Sequence, residues 1–131
     1  MKNLATFVCV SCVLLMAALP LPAHHGTNIS YDHSNPVTLT GTVTEFVWSN
    51  PHTQVYFDVK DANGNIVHWA GEMNSPGVLQ RQEGWTKRTL KVGDEISITV
   101  FPSKAGTPVG VVNKLVVNGK TILDNRGGQQ Q

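Results

Sequence analysis

A strict alternation of side-chain type between residues 37 and 44 is the feature that most limits how this chain can fold. Apolar residues and glycine occupy the odd positions, and threonine occupies every even position from Thr38 to Thr44. Successive side chains of a β-strand point to opposite faces, so a period of two predicts a strand with one buried and one solvated face. The folded part of the chain is therefore expected to begin as a β-protein.

The alternation changes phase before this first strand ends. We predict the strand to run from Val37 to Trp48, yet Phe46 and Trp48 are both even-numbered. A slip of one residue predicts a bulge between Thr44 and Phe46, and Gly41 in mid-strand predicts a further bend. Similar strand patterns follow at residues 54–60, 65–73, 95–101 and 109–117, with a short return at 120–123.

The second and third strands are predicted to form a hairpin around Asn63-Gly64, because this dipeptide adopts the positive φ angles of tight turns. One extra residue in the turn places all the large apolar groups on one face and sets His68 opposite Asp58. A plain two-residue turn would instead pair His68 with Val59 and bury a polar ring among valines. We therefore favour the first register, in which Val67, Trp69 and Gly71 oppose Val59, Phe57 and Val55.

Residues 75–81 predict a short helix, with Asn74 or Ser75 as its cap, Pro76 in its first turn and Gly84 at its end. Three strands, a helix and two strands follow the order of a small five-stranded OB-like β-barrel, and a small open sandwich is the alternative. Closure into a barrel hides strand edges. We predict an all-β domain with one short helix at 37–123, an irregular segment at 24–36 and a disordered tail at 124–131.

Residues 1–23 have the pattern of a secretory signal peptide. Lys2 precedes an apolar run from Leu4 to Leu19, and prolines then lead to the small residue Ala23. The run is short for a membrane span, so we expect cleavage after Ala23, a periplasmic or secreted protein, and no stable membrane anchor afterwards. Both cysteines, Cys9 and Cys12, would leave with the signal peptide, and the mature chain would lack a disulfide.

Charge and motifs exclude several function classes. Without Lys2 the basic side chains equal the nine acidic ones, which argues against binding to nucleic acid or to anionic membranes. We find no nucleophile motif of the Gly-x-Ser-x-Gly type and no phosphate-binding loop. Trp48, Trp69 and Trp85 are interpreted as packing residues. The sequence therefore favours a monomeric binding module over an enzyme.

Cleavage after Ala23 would expose His24, whose α-amine and ring can together chelate Cu(II). A further histidine nitrogen would complete a T-shaped site, and such nitrogen ligands favour copper, with zinc as the other candidate. The candidates for that nitrogen are His25, His33, His52 and His68. The competing interpretation is that His24 and His25 form a flexible polar start and that His68 makes a surface salt bridge with Asp58.

Two hypotheses about function follow. The first is an exported module that binds copper or zinc through His24, with His25, His52 or His68 completing the site. The second is a structural or protein-interaction module of the cell envelope that binds no metal and uses a barrel edge or the face around Tyr56. The first requires a free amine on His24, whereas the second does not depend on the N-terminus.

Short motifs occur along nearly the whole mature chain, and they are Ala23-His24-His25, Tyr31-Asp32, Thr38-Leu39-Thr40-Gly41-Thr42-Val43, Trp48-Ser49-Asn50-Pro51-His52, His68-Trp69, Ser75-Pro76, Gly84-Trp85 and Lys91-Val92-Gly93-Asp94. Together these motifs resemble those of a family of small exported bacterial proteins of unknown function. The resemblance implies export, an OB-like barrel and recurring histidines at His24, His25, His52 and His68, and it transfers no catalytic residue. The overall layout is also similar to that of periplasmic OB-fold proteins.

Overall fold

The computed structural model describes residues 30–125. The predicted signal peptide, His24, His25 and the tail from residue 126 onwards lie outside this range. Within it no helix is long and apolar enough to cross a membrane. The elements, in chain order, are β1 (Val37–Val47), β2 (Gln54–Lys60), β3 (Ile66–Glu72), α1 (Pro76–Glu83), β4 (Glu95–Pro102), β5 (Val109–Val117) and β6 (Lys120–Asp124).

The first five strands close into a barrel. Antiparallel pairing orders the sheet β3-β2-β1-β4-β5-β6, and a parallel pairing of β3 with β5 over Ala70–Glu72 joins its two sides. The resulting circuit β1-β2-β3-β5-β4, with a helix between β3 and β4, is the predicted OB-type barrel. The short return predicted at 120–123 is strand β6, which lies outside the circuit and ends at Asp124, one residue later than expected.

The predicted bulge in β1 occurs between Val43 and Glu45. Residues on its N-terminal side, from Val37 to Thr42, pair with β4, while residues from Thr42 to Val47 pair with β2. One long bent strand therefore serves both sides of the barrel. At Gly41 the backbone of β2 approaches so closely that a Cβ atom would collide with the carbonyl oxygen of Asp58.

The core lies inside the barrel, and Leu79 of α1 is buried in it. Gly84 ends this helix in the left-handed conformation, with φ of 70°, and donates its N–H to the Gln80 carbonyl. Ser75 occupies the cap position, but its side chain makes no capping hydrogen bond. The fully buried side chains of the barrel and the helix include Val43, Val55, Phe57, Leu79, Ile96, Ile98, Val100 and Leu115.

The tryptophans pack as the sequence indicates. Trp85 is buried, and its indole N–H donates to the Ile122 carbonyl oxygen of β6 at 3.1 Å. Trp48 and Trp69 are half-buried against the core. The ring of Trp69 stacks with that of Phe57 at 6.4 Å between centroids. The three indole rings therefore pack against the core, as predicted.

The predicted register of the β2–β3 hairpin is confirmed. Phe57 pairs with Trp69 and Asp58 pairs with His68. Because the side chains alternate, the outer face of this hairpin carries one set of polar groups that faces away from the core. That set consists of Gln54, Tyr56 and Asp58 on β2 and His68 and Glu72 on β3.

Candidate functional site

Three polar side chains from different parts of the chain meet at one end of the barrel. His52 lies in the loop between β1 and β2, Glu72 ends β3, and Tyr31 belongs to the segment before β1. The pairing of Gln54 with Glu72 places the end of β3 beside the start of β2, and therefore beside His52. We call Tyr31, His52 and Glu72 the His52 cluster.

Glu72 connects the other two members of the His52 cluster. One of its carboxylate oxygens pairs with Nδ1 of His52, and the hydroxyl of Tyr31 donates a hydrogen bond to the same side chain. The side chain of His52 is 49% exposed, whereas that of Glu72 is 25% exposed. Burial, followed by the charge and the hydrogen bond of Glu72, raises the pKa of Tyr31 above its usual value of 10.0.

The contact between Glu72 and His52 determines what the imidazole can do. A proton on Nδ1 that is donated to the carboxylate leaves the lone pair on Nε2. Carboxylates orient metal-binding histidines in this way and increase their basicity. The side chain of His52 is about half exposed, so the imidazole is accessible from outside the barrel.

The segment before β1 is attached next to the His52 cluster. The Ser30 carbonyl accepts the N–H of Lys104 at 2.9 Å, and Asp32 N–H donates to the Pro102 carbonyl at 2.8 Å. Between them Tyr31 forms an isolated bridge with Ser103. The backbone that precedes Ser30 therefore enters the described structure beside this end of the barrel.

His68 forms a second carboxylate–histidine pair on the same face. Its Nδ1 lies 2.6 Å from Oδ1 of Asp58, and its side chain is 82% exposed. His68 and Glu72 are four residues apart on β3, about 13 Å at the rise of a strand. Each histidine therefore contacts its own carboxylate at a different position along the face.

The other candidate ligands are in different surroundings. The His33 ring packs against Phe101, with 4.5 Å between centroids, and its Nε2 is buried. His24 and His25 lie outside the described residues. Between residues 30 and 125, no three side chains of the His, Cys, Asp and Glu types gather into a metal-holding group.

Two pockets lie near His68 and the His52 cluster. A pocket of about 370 Å³ lies over the β2–β3 face, where Tyr56, His68 and Glu45 line it together with Pro108 of the β4–β5 loop. A smaller pocket of about 140 Å³ is lined by Tyr31, Gln54 and Glu72 among others. The hydroxyl of Tyr56 donates to Gln54 Oε1 at 2.7 Å and connects the two. OB-folds bind their ligands on this face and on the neighbouring loops.

Replacing Glu72 with Gln is expected to lower the pKa of Tyr31. The substitution removes the negative charge that disfavours the phenolate, while burial of the ring remains. The chain has two tyrosines, so spectrophotometric titration in a Tyr56→Phe background reports Tyr31 alone. Asp58→Asn is the matched control, because it removes a carboxylate at the His68 pair instead. An unchanged pKa in Glu72→Gln would show that the two side chains are not in contact.

Sequence reasoning identified His52 but not its partners in the His52 cluster. The predicted register did contain a usable signal, because it set Glu72 opposite Gln54, two residues after His52. Tyr31 had no such signal. Its contact with Glu72 joins positions that are far apart in the chain, and it exists only because the barrel closes.

The fold defines the class of this protein as a small five-stranded OB-type barrel with one additional edge strand. The chain belongs to a family of unknown function, DUF6152, which matches residues 12–113. This finding confirms the resemblance to a family without an assigned activity. No curated protein matches the sequence significantly.

Proposed function

We propose that this protein is an exported metal-binding module that takes Cu(II) at its mature N-terminus. The α-amine and ring of His24 chelate the ion, and Nε2 of His52 supplies the third nitrogen. The observation that carries the proposal is the contact between Glu72 and His52 Nδ1, which orients the other ring nitrogen as a ligand. The proposal requires cleavage after Ala23.

The position of Tyr31 supports His52 as the third nitrogen. The hydroxyl of Tyr31 is hydrogen-bonded to Glu72, and Glu72 contacts His52. The chain that leads back from Tyr31 to His24 therefore starts next to His52. His24 is seven residues before Tyr31, and an extended chain of that length spans up to about 24 Å. The amine can therefore reach His52 without any change in the barrel. His25 and His68 are the alternative sources of the nitrogen.

The ligand set favours copper over zinc. Three nitrogens in a T-shaped arrangement suit the tetragonal preference of Cu(II), which also forms the most stable complexes among the first-row divalent ions. Zn(II) prefers four ligands in a tetrahedron. Zinc is therefore expected to bind more weakly at the same place.

A comparison of two N-termini tests the proposal. The protein is exported with its own signal peptide, its first residue is established by intact mass, and Cu(II) and Zn(II) are titrated into it. An otherwise identical chain carries three alanines before His24, so that no histidine follows the new amine at the second or third position, where its ring and the backbone amides would chelate copper on their own. We expect tight Cu(II) binding at one equivalent by the first chain only, because the extension moves the amine away from the ring. Equal affinity in both chains, or a mature chain that starts elsewhere, would refute the proposal.

The second candidate is a protein-interaction module of the cell envelope, favoured by the open edge of β3. Strand β5 pairs with Ala70–Glu72, and within residues 30–125 no strand pairs with residues 66–69 on that side. Ile66 is 46% exposed at this edge, and the pocket around Tyr56 adjoins it. A partner captured by the exported protein, and lost with Tyr56→Ala but not with the three N-terminal alanines, would favour this function.

A further inference from the structure

We propose that Asn118-Gly119 is a site of spontaneous deamidation in the folded protein and that the chain's other Asn-Gly pair, Asn63-Gly64, is protected. The inference is independent of the proposed metal site, which lies elsewhere on the barrel. It rests on the different surroundings of the two glycine nitrogens.

The reaction is internal to the chain and uses only water. The backbone nitrogen of Gly119 loses its proton and attacks Cγ of the Asn118 side chain, and the side-chain amide leaves as ammonia. The product is a five-membered succinimide ring. Water then opens the ring at one of its two carbonyls and produces either aspartate or isoaspartate, in which the backbone runs through the former side chain.

At the β5–β6 turn the attacking nitrogen is unrestrained. Asn118 and Gly119 have φ angles of 47° and 82° and connect Val117 to its partner Lys120, as in the two-residue turns that favour Asn-Gly. Both residues are exposed. Throughout residues 30–125, the structure offers no acceptor to the N–H of Gly119, whereas the N–H of Asn118 is bonded to the Glu95 carbonyl at 3.1 Å.

At the β2–β3 turn the equivalent nitrogen is restrained. Gly64 donates its N–H to the Asp61 carbonyl at 3.0 Å. The N–H groups of Asn63 and Asn65 both donate to Oδ1 of Asp61 at 2.8 Å. These bonds fix the turn, and together they hold the pKa of Asp61 below its usual value of 3.8. The ionised carboxylate opposes loss of the Gly64 proton, so attack there requires broken hydrogen bonds and an unfavourable charge.

Deamidation at Asn118 has a structural consequence, because the turn is what attaches β6. Isoaspartate adds a carbon to the backbone and no longer fits a two-residue turn between Val117 and Lys120. Within the described chain β6 pairs only with β5, yet it buries Leu123 and accepts the indole bond of Trp85 through Ile122. The isoaspartyl form is therefore expected to release β6 and to expose Trp85.

Peptide mapping by mass spectrometry of the full exported protein, aged at mildly alkaline pH, tests the inference. The rates at Asn118 and Asn63 are measured in the same sample, so each serves as the other's control. We expect Asn118 to react roughly fivefold faster or more, the factor that one net hydrogen bond at Gly64 contributes. Equal rates, or a faster reaction at Asn63, would overturn the inference.

Two variants separate the chemistry from its consequence. Asn118→Gly keeps a turn-forming residue at the positive φ position, and it should remain unmodified and keep its native Trp85 fluorescence during ageing. Asn118→Asp introduces the charge without the longer backbone. Aged wild-type protein should unfold at a lower temperature than Asn118→Asp, in proportion to its isoaspartate content. If the two unfold at the same temperature, the predicted release of β6 is wrong.

Discussion

Replacement of Gly41 by alanine is expected to lower the free energy of unfolding by about 3 kcal/mol, the upper part of the range for overpacking in a close-packed interior. The added Cβ would collide with the carbonyl oxygen of Asp58 and lie 3.2 Å from a ring carbon of Phe57. A backbone oxygen cannot rotate away as a side chain can. Relief therefore requires β1 to separate from β2 where β1 bends between its two partners.

Gly77→Ala is the matched control for this prediction. It makes the same chemical change inside α1, where the nearest atom to the new Cβ is Nη1 of Arg81 at 3.3 Å, the end of a flexible side chain. Alanine is favoured over glycine in a helix by up to about 1 kcal/mol. Urea unfolding should move the midpoint down for Gly41→Ala and leave it unchanged or higher for Gly77→Ala. If Gly41→Ala unfolds at the same urea concentration as the wild type, the backbones of β1 and β2 do not approach each other closely at this position.

Replacement of His52 by alanine is expected to lower the affinity of the mature chain for Cu(II) by more than about 100-fold, beyond the loss that follows removal of an outer-shell partner. Without His52, the amine and ring of His24 lose the imidazole that Glu72 orients beside Tyr31, and with it the third nitrogen of the site. A competition titration against a copper chelator of known affinity, on chains that start at His24, measures the loss.

His68→Ala is the control, because His68 is also an exposed histidine with a carboxylate on Nδ1. It contacts Asp58 and not Glu72, so if His52 is the third ligand the removal of His68 should leave the copper affinity unchanged. A loss in His68→Ala alone would transfer the proposed site to the Asp58 pair. Wild-type affinity in both variants would show that the barrel contributes no ligand.

The fold was predictable because its signals are local. The alternation in β1 determines which side chains enter the core, and the phase slip near Glu45 identifies the bulge without knowledge of the partner strands. The register of β2 and β3 followed from the mismatch of His68 with valine. Each of these inferences compares residues that are close in sequence or joined by one turn, where side-chain period and turn geometry are decisive.

The candidate site was predictable only in part. His52 and His68 were identified as candidate ligands, and the partner of His68 was identified because Asp58 lies across a hairpin. The contacts of His52 and Tyr31 with Glu72 were not predicted. Tyr31 reaches Glu72 only because β4 and β5 place the N-terminal segment beside β3. The signal peptide and the role of His24 as a metal ligand remain predictions from the sequence.

The sequence by itself indicated a β-domain with the strand order of an OB-like barrel, the buried faces of β1 to β4 and the pairing of Asp58 with His68. Periodicity and turn residues act within a few positions along the chain and can be interpreted directly. Only the tertiary structure decided that His52 and Glu72 meet, that Tyr31 lies beside them, and that the N–H of Gly64 has an acceptor while that of Gly119 has none among residues 30–125. These facts depend on where the closed barrel brings distant backbone segments, and side-chain pattern does not encode those distances.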